Sequence, residues 1–214
     1  MARLKSGILG PFIGSIKHVT GYIRLGVAVM KFKDPDKNKK NKTPRSPAQL
    51  AMNAKMSLAM KFLTYVTNFV NVGFSTSVGP GQTPHNIAVS RMLLTGIKGS
   101  YPNYELDYPN IQLTDGKLRL PDNIQAKQLG DDIVITWNVP AYEGDVRARD
   151  QAMAVCCDGK GFATKLLSGA RITDGMEVLK GHAMKRQKPF HVYVSFISDD
   201  RKLVAKSVYA GMIE

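Results

Sequence analysis

The residues best suited to chemistry in this sequence are seven cations near its beginning. They lie within residues 31–45, called the basic arm below, where only Asp34 and Asp36 oppose them. Ammonium and guanidinium groups at this density attract phosphates, anionic lipid or carboxylate-rich protein surfaces. The candidate residues for binding an anionic partner are Lys31, Lys33, Lys37, Lys39, Lys40, Lys42 and Arg45.

Three interpretations of the basic arm are open at this point. It is a solvated loop that contacts nothing, a nucleic-acid-binding segment, or a segment that docks on an acidic protein. If all seven cations neutralised phosphates of duplex DNA, binding would fall with salt with a log–log slope of roughly −6. Few aromatic residues accompany the lysines, which gives little support to base stacking on single strands.

Other residue patterns give no indication of catalysis or metal binding. The sequence has no His-Glu-x-x-His motif, no pair of Cys-x-x-Cys motifs, no Gly-rich phosphate loop and no Gly-x-Ser-x-Gly elbow. We therefore expect no metal, no cofactor and no enzymatic activity, with His191 in a structural role. Because a catalytic site can assemble from distant residues, an enzyme with a pocket near the junction of the two halves is the third hypothesis.

The two cysteines, Cys156 and Cys157, are adjacent. Neighbouring α-carbons lie about 3.8 Å apart, closer than ordinary disulfide geometry prefers, and neighbours on a strand point to opposite faces. The sequence therefore predicts two reduced, buried thiols in a cytoplasmic protein.

The positive charge is concentrated in the first half of the chain. Of 214 residues with a net charge of +13, the first 110 contain 15 basic and 4 acidic residues, and the remainder contain 15 and 13. A hydrophobic content of 43% and a charged content of 22% are typical of a folded protein. Residues 7–16 are apolar but interrupted by Pro11, too short for a bilayer span of about 20 residues, so no membrane association is expected.

Two helices are predicted to follow the basic arm. Ser46 suits the N-cap, Pro47 the first helical position and Gln49 the third, which is the pattern of a capping box. Apolar residues then recur every three or four positions, predicting a core helix over residues 47–70, whose stripe would alternatively fill a partner's groove. A second helix is predicted over residues 84–98.

The rest of the chain has the period of β-strands. Strands are predicted at residues 15–19 and 22–33, where apolar residues alternate. Hairpins are predicted around Asp115-Gly116, around Asp158-Gly159 and around a last turn at residues 199–202, because such residues favour tight turns.

These elements predict an α+β protein. Residues 1–120 form an α+β region with N-terminal strands, two helices and the basic arm. Residues 121–214 form a β-sandwich domain, with strands about every ten residues in an immunoglobulin-like or fibronectin-like layout. The B–F disulfide of a true immunoglobulin domain is absent.

Four stretches resemble an uncharacterised family common in Bacteroidota. They are Gly7-Ile8-Leu9-Gly10, the helix entry Thr43-Pro44-Arg45-Ser46-Pro47-Ala48-Gln49, residues 97–108, and residues 195–211. The resemblance implies a glycine-rich start, a basic arm and a β-rich C-terminal half, and it transfers no catalytic residue. The helix entry is also similar to segments of phage virion-like proteins.

Together these observations favour a non-enzymatic structural or interaction protein. It would dock through the basic arm on an acidic neighbour, in a homo-oligomer or a larger, phage-like assembly. The alternative is a sequence-nonspecific nucleic-acid-binding protein that uses the same arm.

Overall fold

The structure is a computed structural model that describes residues 3–4, 10–33, 44–139, 147–180 and 189–213. Within these residues it contains two α-helices and thirteen strands. The first half comprises β1 (Arg3–Leu4), β2 (Phe12–Ile16), β3 (Val19–Arg24), β4 (Val27–Phe32), α1 (Pro47–Gly73), α2 (Pro84–Thr95), β5 (Ile97–Ser100) and β6 (Asn103–Leu106). The second half comprises β7 (Gln125–Leu129), β8 (Asp132–Thr136), β9 (Gln151–Cys157), β10 (Ala163–Leu166), β11 (Met176–Leu179), β12 (Phe190–Ile197) and β13 (Val208–Ile213).

Helix α1 begins at the predicted capping box. The Gln49 N–H donates to Ser46 Oγ at 3.3 Å, and the Ser46 N–H donates to Gln49 Oε1 at 3.1 Å. The helix continues three residues beyond its predicted end at Val70, to Gly73. Helix α2 is shorter than predicted, because it ends at Thr95 and the chain enters β5 at Ile97.

The centre of the fold is the antiparallel pair of β9 and β12. Seven residue pairs join them, from Gln151 with Ile197 to Cys157 with His191. β10 and β13 flank the pair and complete the sheet order β10-β9-β12-β13. All eight residues of β12 are buried, so both faces of this sheet are covered by other elements.

One face of the central sheet is covered by the helices. Met153, Val155 and Cys157 of β9 share a core with Phe62, Phe69 and other buried residues of α1, and with Met92 of α2. This core contains residues from both sides of the predicted boundary at residue 120. One hydrophobic core is therefore shared by the two predicted domains.

The other face is covered by the sheet of order β11-β8-β7. Ala152, Ala154 and Cys156 of β9 pack there with Ile133 and Ile135 of β8. The two cysteines therefore point into different cores, as their adjacency on a strand predicted. The α+β class is confirmed, and the immunoglobulin-like or fibronectin-like layout stays a prediction.

Two of the three predicted hairpins form. β9 and β10 pair across the turn at Asp158, whose Oδ1 accepts backbone hydrogen bonds from Lys160, Gly161 and Phe162 at 2.8–2.9 Å. The last turn is closed by a Ser198 N–H that donates to the Leu203 carbonyl at 2.9 Å.

The predicted hairpin at Asp115-Gly116 is wrong. Residues 111–120 form no strand, and Leu118 instead makes an isolated parallel bridge with Ala205. Gly116 is needed for this approach, because a β-carbon there would overlap the Val204 carbonyl oxygen.

The single strand predicted over residues 22–33 is also wrong, since β3 and β4 replace it. The chain turns at Leu25 and Gly26, which have φ of 50° and 79°. Leucine rarely adopts this left-handed conformation, so its presence hid the turn in the sequence pattern.

We expect Gly116→Ala to lower the free energy of unfolding by about 1–3 kcal/mol, because the added methyl displaces the Val204 backbone. Urea unfolding of the full chain, followed by circular dichroism, measures the change. Gly79→Ala is the matched control, since its β-carbon would meet only the Gln82 side chain, at 3.3 Å, and should change stability by less than about 0.5 kcal/mol. Equal midpoints for the two variants would contradict the prediction.

Candidate interaction surface

The strands before α1 form a separate antiparallel sheet of order β1-β2-β3-β4. Gly14 pairs with Gly21, which pairs with Met30, and Ile16 pairs with Val19, which pairs with Phe32. Directly opposite residues share a face of a sheet, and so do residues two positions apart. The register therefore assigns every side chain of this sheet to one of two faces.

One of these faces is entirely apolar. Met30 and Phe32 are 70% and 67% exposed, and Ile16 is 54% exposed, so the structure leaves this face open. The residues of this apolar face are Phe12, Ile16, Val19, Ile23, Ala28, Met30 and Phe32. An exposed contiguous apolar surface marks an interaction site more often than a scattered apolar residue does.

Two paired glycines shape the middle of the apolar face. Gly14 and Gly21 lack side chains, and the Phe12 ring lies over Gly21, where a β-carbon would come within 2.8 Å of the ring. A notch of about 330 Å³ opens beside this ring and is bordered by Ala28 and Met30. The face therefore presents a recess between projecting apolar side chains.

The first turns of α1 add a second exposed apolar surface. The first buried residue of the helix is Ala59, so residues 47–58, about 18 Å of helix, lie outside the core. Leu50, Met52 and Met56 are exposed there. Among the described residues before Ala59, only Gly21 is buried.

The structure describes three of the seven predicted cations. Lys31 lies on β4 opposite Thr20, on the face that is not apolar, and is exposed. The Lys33 N–H donates to the His18 carbonyl at 2.6 Å and extends the β3–β4 pairing. Arg45 is exposed directly before the N-cap of α1. Lys37, Lys39, Lys40 and Lys42 lie outside the described residues.

The apolar face was not predicted from the sequence. The alternation of residues 22–33 indicated a strand, but it did not indicate whether other elements would cover the apolar side chains of that strand. A signal was present, because residues 10–33 contain apolar side chains at alternating positions and no Asp or Glu on either face.

A cleft of about 710 Å³ lies elsewhere, between the segment at residues 117–119 and the last turn. Its lining includes Lys117, Arg119, Arg147 and Arg149, together with Asp150, Asp199 and Asp200. Arg147 pairs with Asp150 at 3.3 Å and donates to the Arg119 carbonyl at 2.6 Å. Because opposite charges line the cleft, it has no clear preference for an anion or a cation.

His191 belongs to a buried aromatic cluster. Its ring stacks on Tyr108 with 3.5 Å between centroids, and its Nδ1 lies 2.9 Å from the Tyr209 hydroxyl. Tyr193 donates from its hydroxyl to the Tyr108 carbonyl at 2.9 Å. Burial lowers the pKa of His191, so the imidazole is neutral near pH 7.

The buried hydroxyls and thiols also have structural partners. Thr114 and Ser195 both donate to the Ala205 carbonyl, at 2.7 and 2.9 Å. Burial raises the pKa of Cys156 to about 12 and raises that of Cys157 as well, so neither thiol is a ready nucleophile. No group of three or more potential metal ligands occurs among the residues that the structure describes.

A family of unknown function (DUF6266) matches residues 11–211, which include the apolar face, the basic arm and the buried residues of both cores except Ile213. The chain belongs to this family. No curated protein and no solved structure matches it. Membership in DUF6266 confirms the resemblance to an uncharacterised family, and the link to Bacteroidota and to phage virion-like proteins stays a prediction.

In the described part of this DUF6266 member, neither helix has an apolar stretch that would reach across a bilayer.

We expect both thiols of the folded DUF6266 chain to resist alkylation by iodoacetamide at about pH 8, because burial keeps them protonated and covered. Mass spectrometry measures the modification before and after unfolding in urea, which should expose both thiols. Ser57→Cys provides an exposed control thiol on the first turns of α1 and should be modified in the folded state. Rapid modification of Cys156 or Cys157 in the folded chain would contradict the burial described above.

We expect acid to destabilise the folded chain through His191. Its pKa is lower in the folded state than in the unfolded state, so the unfolded state binds the proton more readily as the pH falls below about 6.5. Stability should fall with a slope of at most about 1.4 kcal/mol per pH unit, measured by urea unfolding at a series of pH values. His191→Gln should remove this part of the pH dependence of stability. If the variant and the original chain had the same pH profile, His191 would not be the responsible group.

Proposed function

We propose that this protein is a non-enzymatic structural or interaction protein that docks through its N-terminal region on an acidic neighbouring protein. The observation behind the proposal is a sheet edge that joins an open apolar face to an opposite face with exposed cations. Arg24 and Lys31 lie on that opposite face, exposed Lys33 directly follows β4, and residues 10–33 contain no acidic residue. A partner that packs along this edge gains from both apolar burial and opposite charge.

The apolar face argues against the interpretation of the basic arm as a loop that contacts nothing. Solvation alone would need only the lysines, whereas Met30 and Phe32 leave most of their apolar area in water. Burial of such area contributes about 25 cal/mol per Å², so covering the face against a partner is favourable.

Nucleic-acid binding is the second candidate function, and the density of cations in residues 31–45 favours it. Phosphate contacts are polar, however, and give no role to the apolar face of the same sheet. An acidic protein supplies both carboxylates and apolar side chains, so it accounts for more of the surface.

The finer expectations from the sequence belong to this proposal. The second half would be an immunoglobulin-like or fibronectin-like platform that holds the N-terminal region in place. The protein would act in the cytoplasm or in an assembly made there, such as a phage-like particle, with the resemblance to Bacteroidota and phage virion-like sequences as support.

The test compares binding of the full chain to polyglutamate and to a random-sequence DNA duplex between about 50 and 200 mM salt. We expect polyglutamate to bind, and we expect glutamine at Lys37, Lys39, Lys40 and Lys42 to weaken its binding by about tenfold or more, since four charge contacts are lost. The matched control neutralises four exposed lysines outside the basic arm, Lys98, Lys127, Lys165 and Lys180.

Two results would overturn the proposal. Equal losses in the two four-lysine variants would show that only the net charge matters and that the N-terminal region is no docking site. Binding to the duplex with a slope near −6, without binding to polyglutamate, would establish the nucleic-acid alternative instead.

A further inference from the structure

We propose that a β-strand of the acidic partner adds to the free edge of β4 and extends the N-terminal sheet. This inference rests on the proposed function and specifies how the partner is held. The occupant is a segment in which apolar and acidic residues alternate. Main-chain hydrogen bonds would provide affinity in this mode of recognition, and alternate side chains would provide specificity.

The first observation is that β4 is an edge strand. Among the described residues it has a strand neighbour on the β3 side only, since the sheet order is β1-β2-β3-β4. β4 is six residues long, close to the common length of a strand in a sheet. An exposed apolar edge of this kind is a template for pairing with another chain.

The second observation fixes which backbone groups face the free edge. The Lys33 N–H donates to the His18 carbonyl across the β3–β4 pair. Backbone groups of successive residues in an antiparallel strand point to alternate sides, so Val27, Val29 and Lys31 also direct their N–H and C=O groups toward β3. The outward-directed groups therefore belong to Ala28, Met30 and Phe32.

The third observation is that the two faces of β4 differ in chemistry. Ala28, Met30 and Phe32 project their side chains onto the apolar face, whereas Val27, Val29 and Lys31 lie on the opposite face, where Arg24 of β3 pairs with Val27. A strand added beside β4 continues both faces. Its apolar residues would extend the apolar face, and its alternate carboxylates would lie next to the cations.

These features favour a polypeptide strand over a lipid surface. Lipid tails cannot hydrogen-bond the N–H and C=O groups along the edge, and such groups are costly when they are buried without partners. A second copy of the same surface is disfavoured by charge, because residues 10–33 contain cations and no carboxylate. The geometry therefore points to an acidic strand of a different protein.

The experiment uses the full chain and a synthetic peptide in which valine and glutamate alternate. The control peptide has the same composition with all valines in one block. We expect the alternating peptide to bind at least about tenfold more tightly in calorimetry, a difference of about 1.4 kcal/mol. Hydrogen exchange by NMR should show that the amides of Ala28, Met30 and Phe32 are fast in the free chain and slow in the complex, while those of Val29 and Lys31 are slow in both.

Two variants test the edge itself. Met30→Pro removes an outward backbone N–H donor and leaves the β3–β4 hydrogen bonds in place. It should therefore lower the affinity for the alternating peptide by about tenfold or more. Met30→Leu keeps the donor and an apolar side chain, so its affinity should stay within about threefold of the original. Slow exchange of the Val29 and Lys31 amides in Met30→Pro verifies that the sheet is intact, and the exchange pattern of the unmodified chain tests the proposal independently of that variant.

The outcomes separate this inference from the proposed function. Equal binding of both peptides, weakened by Lys31→Gln with Lys33→Gln but not by Met30→Pro, would overturn strand addition and leave docking by charge in place. Failure of both peptides to bind would refute acidic docking as well. Slow exchange of Ala28, Met30 and Phe32 in the free chain would overturn the inference, with light scattering identifying a second copy as the occupant if the chain is dimeric. Protection of the same amides by duplex DNA would also overturn it.

Discussion

Burial of both faces of the β9–β12 pair is the constraint on which the rest of this structure depends. Strands this apolar need a covering layer on each side. An antiparallel sheet with one face in solvent would leave half of their apolar side chains exposed to water. The C-terminal part of α1 and α2 provide one layer, and the β11-β8-β7 sheet provides the other. Because both positions are occupied, no face of the central sheet remains for the N-terminal sheet, whose apolar face stays open.

The parts of the fold that could be predicted from sequence are those determined by neighbouring residues. Ser46 and Gln49 form the start of α1 through two local hydrogen bonds, and Asp158 closes the β9–β10 turn through its own side chain. The errors occurred where distant residues decide the structure. Gly116 packs on Val204, 88 positions away. The Asp115-Gly116 pair, which is typical of a hairpin turn, therefore allows a close approach of two distant segments instead.

The candidate surface was predictable in charge but not in shape. A run of lysines can be recognised from the sequence alone, because its positive charge does not depend on how the chain folds. The apolar face could not be recognised in the same way, because alternation along β3 and β4 is typical of any half-buried strand. Only the pairing register and the absence of a covering element among the described residues distinguish Met30 and Phe32 from core residues. The combination of positive charge with an open apolar face is what distinguishes a docking surface from a solvated loop.

The position of Trp137 determines what optical measurements on this protein can detect. It is the only tryptophan of the chain, it is 5% exposed, it meets Phe196 edge-on at 5.2 Å, and its Nε1 donates to the Ile172 carbonyl at 2.8 Å. Its fluorescence therefore reports the packing between the two sheets of the second half. Loss of the N-terminal sheet or fraying of the first turns of α1 would leave that emission unchanged. A chain that appears native by tryptophan fluorescence can thus already lack its proposed docking surface.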